Sequence, residues 1–254
     1  MGIVVNQSIK NTIITYFGFG IGAVNVIFLY TQFVSEAYFG LITFILSTAS
    51  ILMPFMAFGV HNTIVKFYSS FKTRQSQNSF LSLMLLLPLL LIVPLGLITH
   101  FAYDLIANWL SKENAIIKDY TWLIYICAAA FAYFEVFYAW SKVQLQSVFG
   151  NFMSEVFHRF ITTLLLLSLY FGYLNVDQLI YGIVITYIVR ALIMKLYAFS
   201  LRMPVFKLTK IPNVGSILKY SALIIIAGSV ANIILEIDKF MLGQFQALNN
   251  VAYY

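Results

Sequence analysis

Long apolar runs separated by short charged breaks make up most of the chain. Seven such runs lie at residues 12–33, 39–60, 79–103, 120–140, 160–174, 178–199 and 216–237. A helix needs about 20 mostly apolar residues to cross a hydrocarbon core of about 30 Å. Transmembrane β-strands are instead about 10 residues long and alternate in polarity, a period that these runs lack. The pattern predicts an all-α, polytopic transmembrane helix bundle, in which the short fifth helix begins before residue 160.

Composition strengthens this prediction. The chain is 61% hydrophobic and 9% charged, with a mean hydropathy of +0.89, whereas soluble domains carry roughly a quarter charged residues. Cys127 is the single cysteine, which rules out an intramolecular disulfide and a thiolate metal cage. We therefore expect an integral membrane protein with no metal and no organic cofactor.

The lysines and arginines indicate an orientation, because cytoplasmic loops retain positive charge during insertion. With the N-terminus inside, only Lys112, Lys118 and Lys239 fall outside, and Arg190 is the one basic residue left within a span. We expect a multi-pass protein of the plasma (inner) membrane with a cytoplasmic N-terminus. The excess of basic residues behind the net charge of +6 then reflects their concentration on the cytoplasmic side of the membrane, so no nucleic-acid partner is predicted. The residues assigned to the cytoplasmic side are Lys10, Lys66, Lys72, Arg74, Lys142, Arg159, Lys195, Arg202, Lys207, Lys210 and Lys219.

Two segments of the chain resemble each other. The stretches "SIKNTIITYFGFGIGAVNVIFLYTQF" after Gln7 and "SILKYSALIIIAGSVANIILEIDKFMLGQF" after Gly215 both open with serine and lysine and continue as apolar helices containing glycine. Many transporters are built from internal repeats of this kind. We therefore expect residues 1–212 to form a six-helix lobe. Residues 213–254 are expected to supply the first helix of a second lobe and to stop where an eighth helix begins.

Two stretches carry a resemblance to a known superfamily: "SEAYFGLITFILSTASILMPFMAFGVHNTIVKFYSS" and "EIDKFMLGQFQALNNVAYY". Over essentially its whole length, the chain resembles the N-terminal half of a polysaccharide-type flippase of the multidrug/oligosaccharidyl-lipid/polysaccharide exporter superfamily. The resemblance implies two six-helix lobes around a central cavity, so the chain is expected to be a fragment. It also implies a transporter, not an enzyme, that flips pyrophosphate-bearing, lipid-linked oligosaccharide precursors for surface polysaccharide. Membrane lipids and a coupling ion are the other expected partners.

Within that resemblance Arg190 is the first candidate site residue. A charge at mid-membrane is costly and usually faces a watery cavity or a partner. A substrate pyrophosphate would be such a partner, since guanidinium binds phosphate oxygens in a bidentate fork. The alternatives are an internal ion pair with Glu135 and snorkelling of the side chain to the cytoplasmic face.

Four further polar residues in or near the spans are candidates. Asn25 is a second substrate-binding candidate, and helix–helix adhesion is its alternative role. Glu135, Glu236 and Asp238 are candidates for ion coupling, because carboxylates in a low dielectric can carry protons or bind sodium. For Asp238 the alternative is an ion pair with Lys239 at the outer end of helix seven.

Two other functions stay open from the sequence. One is a drug or ion antiporter of the same superfamily. The other is a membrane-embedded sugar or acyl transferase, although neither a Ser/His/Asp order nor a phosphate-cradling glycine loop stands out. The chemistry of the product separates the two classes: a flippase leaves its lipid unchanged, and a transferase alters it.

Overall fold

The computed structural model describes residues 2–206 and 213–253, without the side chains of Val4 and Ala231. These residues form helices and connecting turns, with no β-strand among them, which confirms the all-α prediction. Six helical segments are long and apolar enough to cross a membrane, and are called spans 1 to 6. They are Val5–Phe33, Glu36–Met56, Arg74–Phe101, Ile117–Lys142, Val148–Tyr170 and Val176–Leu201.

Helix 7, Val214–Phe245, is bent by 55° between Val230 and Asn232 and makes a seventh span if the bent pair is counted as one. It ends well beyond residue 237, so the prediction that Asp238 lies at the helix end is wrong. The side chain of Asn114 holds the end of the helix by donating to the carbonyls of Gly243 and Gln246 at 2.9 and 2.8 Å. A short helix, Leu248–Tyr253, follows.

Some predictions fall on residues that the structure does not describe. Lys207, Lys210 and Tyr254 lie outside the described residues, and so does the predicted lobe boundary at residue 212. The division into residues 1–212 and 213–254 therefore stays a prediction.

Span 5 begins at Val148, which confirms that its helix starts before residue 160. This earlier start places Arg159 near the middle of the span. The sequence analysis assigned Arg159 to a cytoplasmic loop and left Arg190 as the one basic residue within a span. Both predictions are therefore wrong. The polar stretch that precedes Arg159 is compatible with a span because it packs against span 1.

Two helices in the N-terminal half of the chain are interrupted at proline and glycine residues. Span 2 ends at Met56, two residues after Pro54, and Gly59 then takes a φ of 61° before the short helix Val60–Phe67. Glycine suits this left-handed turn, and a Cβ there would also meet the Ser221 carbonyl oxygen of helix 7 at 2.6 Å. Span 3 is likewise interrupted before Leu89 by Pro88, which cannot continue the hydrogen-bond ladder.

The centre of the bundle is formed by spans 2, 4 and 6. Span 4 is the most buried of the six, and its residues pack against both neighbours in one apolar core. Span 1 lies at the periphery and exposes large apolar side chains such as Phe17 and Ile27. Because lipid tails solvate such side chains as well as protein does, specific polar and close-packed contacts must hold span 1 to the bundle.

A polar seam joins span 1 to span 5. Asn11 donates to the Ser147 hydroxyl at 3.0 Å, and Asn151 donates to the carbonyl of Asn11 at 3.0 Å and to the Thr15 hydroxyl at 3.2 Å. One turn further along, Gly18 packs so closely that a Cβ would overlap the backbone of span 5. The seam is a small-residue and amide interface of the kind that associates helices in lipid.

The basic residues at the ends of spans 3, 4 and 6 gather at one end of the bundle, called the basic end. Arg202, just after span 6, organises it: Nε donates to Asn78 Oδ1 at 2.9 Å, and Nη1 donates to Gln77 Oε1 at 2.9 Å and to the Tyr68 hydroxyl. The Trp140 indole donates to the Arg202 carbonyl at 3.2 Å. These contacts fix the positions of spans 3, 4 and 6 relative to one another along the bundle axis.

We predict that the basic end faces the cytoplasm. A reporter fused after Arg74 should read cytoplasmic and one fused after Lys112 should read external, because Lys and Arg are retained inside during insertion. The measurement is paired alkaline phosphatase and fluorescent-protein fusions at both positions. Alkaline phosphatase activity at Arg74, with none at Lys112, would contradict the orientation.

Candidate functional site

A cavity of about 460 Å³ lies between spans 1, 2, 4, 6 and helix 7, in the half of the bundle away from the basic end. Its size is within the range of about 300–1,000 Å³ typical of ligand pockets. Span 2 contributes hydroxyls to the wall, and helix 7 contributes a pair of charges. The polar lining residues are Thr43, Ser47, Ser50, Glu236 and Lys239.

The two charges on the wall neutralise each other. Lys239 Nζ lies 3.0 Å from Glu236 Oε2, one turn apart on helix 7, and both side chains remain partly exposed. Glu236, a predicted ion-coupling residue, thus lines the cavity as half of an ion pair. Asp238 lies between them in sequence, within the helix rather than at its end.

Two aromatic rings lie on the side of the cavity that is nearer the basic end. Phe131 of span 4 and Tyr187 of span 6 both line it, and their rings meet edge to face with centroids 4.8 Å apart. The pair is called the aromatic partition. Such T-shaped contacts are favourable by about 0.5–1.5 kcal/mol, so the partition is a closed but separable contact.

Arg190 lies one turn beyond Tyr187 toward the basic end. Its guanidinium carbon is 4.8 Å from the Tyr187 ring centroid, 5.6 Å from that of Phe131 and 4.1 Å from that of Phe134. Arg190 is 7% exposed, and its Nε has no hydrogen-bond partner among the described residues. Aromatic faces attract a cation but leave its N–H donors unused. Arg190 thus has spare hydrogen-bonding capacity next to the cavity.

The structure shows neither of the two alternative roles of Arg190, the ion pair with Glu135 and the snorkelling side chain. No ion pair joins it to Glu135 among the described residues; the pairs present there are Arg159–Glu155 and Lys239–Glu236. The side chain also does not snorkel to the surface, because it is buried against the rings. Its substrate-binding role stays a prediction.

Span 5 brings two more nitrogen-bearing side chains to this region. The His158 ring lies 5.4 Å from that of Tyr187, and His158 is within electrostatic reach of both Arg190 and Arg159. His158 Nδ1 and Arg159 Nη1 are buried and have no hydrogen-bond partner in the part of the chain that the structure describes. Arg159 Nη1 lies 3.4 Å from Glu155 Oε2 in a half-buried ion pair. We call Arg190, His158 and Arg159 the basic cluster.

Asn25 has both ends of its amide engaged with span 5. Its Nδ2 donates to the Arg159 carbonyl at 2.8 Å, and its Oδ1 accepts from the Thr163 hydroxyl at 2.7 Å. It also begins the π-helical turn Asn25–Tyr30 of span 1. These contacts are those of helix–helix adhesion, and substrate binding by Asn25 stays a prediction.

Glu135 is the remaining predicted coupling residue. It lies on span 4 one turn beyond Phe131 toward the basic end, is partly buried, and is within electrostatic reach of Arg190, His61 and Lys142. Burial lowers the pKa of His61, so this histidine is neutral at pH 7, and Arg190 and Lys142 are the cations within reach of Glu135. No group of three or more His, Cys, Asp or Glu side chains suited to a metal ion occurs among the described residues.

A helical bundle that crosses the membrane several times around a partly polar cavity has the architecture of a membrane transporter. A comparison with protein families identifies which kind. Residues 4–254 match the family described as "Polysaccharide biosynthesis protein", and the chain belongs to this family. The match confirms the resemblance found in the sequence and makes the chain a polysaccharide-related, multi-pass membrane transporter. No curated protein and no solved structure matches significantly.

Proposed function

We propose that this chain forms one lobe of a flippase that moves pyrophosphate-bearing, lipid-linked oligosaccharide precursors from the cytoplasmic to the outer leaflet of the inner membrane. The observation that carries the proposal is the basic cluster, which lies next to the cavity and has unused donor nitrogens. Arg190 is the member of the cluster without an ion pair among the described residues, and a membrane protein keeps such a cation at mid-membrane where a ligand or watery path meets it.

The chemistry of the cluster suits a diphosphate. Guanidinium groups bind phosphate oxygens through charge-assisted, bidentate hydrogen bonds. Arg190 and Arg159 belong to neighbouring spans, so they can approach one anion from two sides. The hydroxyls and the Glu236–Lys239 pair on the cavity wall are groups that hydrogen-bond sugars. In this proposal the diphosphate meets the basic cluster while the sugar occupies the cavity.

The aromatic partition supports alternating access. Its two rings line the cavity and are in contact with each other, and both lie next to the Arg190 guanidinium. Rocking of this lobe against a second lobe would part Phe131 from Tyr187 and expose Arg190 to the cavity. Movement of one bundle against another around a fixed site is the usual mechanism of such transporters.

We propose Glu135 as the ion-coupling residue, ahead of Glu236 and Asp238. It is partly buried near Arg190 and forms no ion pair with any described residue. An anion bound at Arg190 would add negative charge near Glu135 and so favour binding of a cation there, because opposite charges attract strongly in a low dielectric. Binding of the substrate and of a proton or sodium ion would then be linked.

The test is transport in sealed vesicles that contain the full two-lobe protein and a fluorescent lipid-linked sugar. We expect the label to become accessible on the opposite leaflet, with the lipid chemically unchanged. A chemically altered lipid would identify a transferase and overturn the proposal. Transfer of drugs or ions without transfer of the lipid would identify an antiporter and overturn it as well.

A further inference from the structure

An apolar groove runs along the outer surface of the bundle. It has a volume of about 690 Å³, with span 4 as its floor and spans 3 and 6 as its walls. The small side chains of Ala129 and Ala130 give it depth. Of the described residues that line it, Lys195 alone is charged. The groove is separate from the cavity and from the basic cluster, and no residue is common to their linings.

The basic-end side of the groove is closed by the segment that follows span 6. Pro204 and Phe206 line the groove there, and the Ser82 hydroxyl of span 3 donates to the Val205 carbonyl at 2.8 Å. The segment is thus fixed across the two walls. The groove is thus bounded at the basic end and open along the outer surface of the bundle.

Lys195 is unusual because it is a lipid-exposed cation inside a span. It lies six residues before Leu201, which is about 9 Å along the helix axis. No acidic partner is present for it among the described residues, and its ammonium lies 5.8 Å from the Phe199 ring centroid. A lysine at this depth extends toward the headgroup region, where its charge requires an anion.

We propose that this groove is a binding site for an anionic glycerophospholipid of the leaflet at the basic end. Its acyl chain lies along Ala129, Ala130 and Leu192, and its phosphate pairs with Lys195. Charge complementarity selects this occupant. A zwitterionic lipid fills the apolar groove, but its own choline cation offsets its phosphate, whereas an anionic headgroup has a net negative charge for the ammonium. Basic pockets between transmembrane helices bind anionic headgroups in this way.

The experiment measures the lipid that the 254-residue chain retains from nanodiscs of equal phosphatidylglycerol and phosphatidylcholine, by native mass spectrometry after mild delipidation. We expect wild type to retain phosphatidylglycerol with about fivefold enrichment, the factor that corresponds to about 1 kcal/mol for one lysine at an anionic surface. Lys195→Ala should remove the enrichment and Lys195→Arg should keep it. Lys10→Ala, which removes an exposed lysine of span 1, is the matched control and should change nothing.

A second variant tests the apolar part of the site. Ala130→Phe should fill the groove and reduce retention of both lipids while leaving Lys195 in place. The proposal is overturned if Lys195→Ala keeps the enrichment, if Lys10→Ala removes it equally, or if Ala130→Phe retains phosphatidylglycerol as wild type does. Equal retention of the two lipids by wild type would show an apolar surface without headgroup recognition and would also overturn it.

Discussion

Arg190→Ala in the full two-lobe protein should abolish transport of the lipid-linked sugar while the protein inserts at normal levels. The guanidinium is buried and forms no ion pair with any described residue, so its removal breaks no salt bridge of the described fold. Loss of a desolvated charge contact to substrate costs roughly 2–5 kcal/mol, or at least about thirtyfold in affinity. The measurement is the rate of label transfer in vesicles, normalised to inserted protein.

Arg190→Lys and Arg74→Ala are the controls for this prediction. Lysine keeps the charge but loses the planar fork, so Arg190→Lys should transport at an intermediate rate. Arg74→Ala removes an arginine at the basic end, outside the basic cluster, and should transport normally. Normal transport by Arg190→Ala would exclude substrate contact. Poor insertion of Arg190→Ala that is restored by an added Glu135→Ala would show a structural pair instead.

The six spans could be predicted from the sequence because lipid imposes one requirement on every residue that it touches. A run of about 20 apolar residues is readable without knowledge of its neighbours. Span 5 shows where this fails. Its first half carries Asn151, Glu155 and Arg159, which are tolerated because they face span 1 or one another. A hydropathy average counts the residues on all faces of a helix together. The predicted length of a helix with a polar, protein-facing stripe is therefore too short.

The basic cluster could be predicted only in part for the same reason. Arg190 was apparent because its neighbours in sequence are apolar, whereas Arg159 and His158 resembled a loop. Their approach to Arg190 depends on the packing of spans 5 and 6, which a single sequence does not encode in any local pattern. A repeat of polar residues at intervals of four, at positions 147, 151, 155, 159 and 163, was the available signal, since this spacing places them on one helix face.

Helix 7 was also predicted too short, at its C-terminal end. Glu236, Asp238 and Lys239 looked like the end of a span, because three charged residues within four positions usually mark an interface. The helix continues to Phe245 because Glu236 and Lys239 neutralise each other one turn apart and face the cavity. Charge count therefore predicts a helix end only where the charges face lipid.

Gly18→Ala should destabilise the protein strongly, whereas Gly20→Ala in the same helix should not. A Cβ at Gly18 would overlap the backbone carbonyl of Glu155, and a Cβ at Gly20 would meet nothing within 4 Å. Overpacking of this kind costs about 1–3 kcal/mol, and backbone cannot move aside as a side chain can. Alanine at the lipid-facing Gly20 should be neutral or slightly stabilising, since it favours the helix by about 0.5–1 kcal/mol.

The consequence of Gly18→Ala reaches the transport site through the polar seam. Displacing span 1 would lengthen the Asn25–Arg159 hydrogen bond, and it would also move Tyr30, which lines the cavity. We expect a lower thermal midpoint in detergent, faster proteolysis near Val34, and reduced transport for Gly18→Ala alone. Equal midpoints for the two variants would show that span 1 is free to shift along span 5. In that case the seam would not fix the cavity wall.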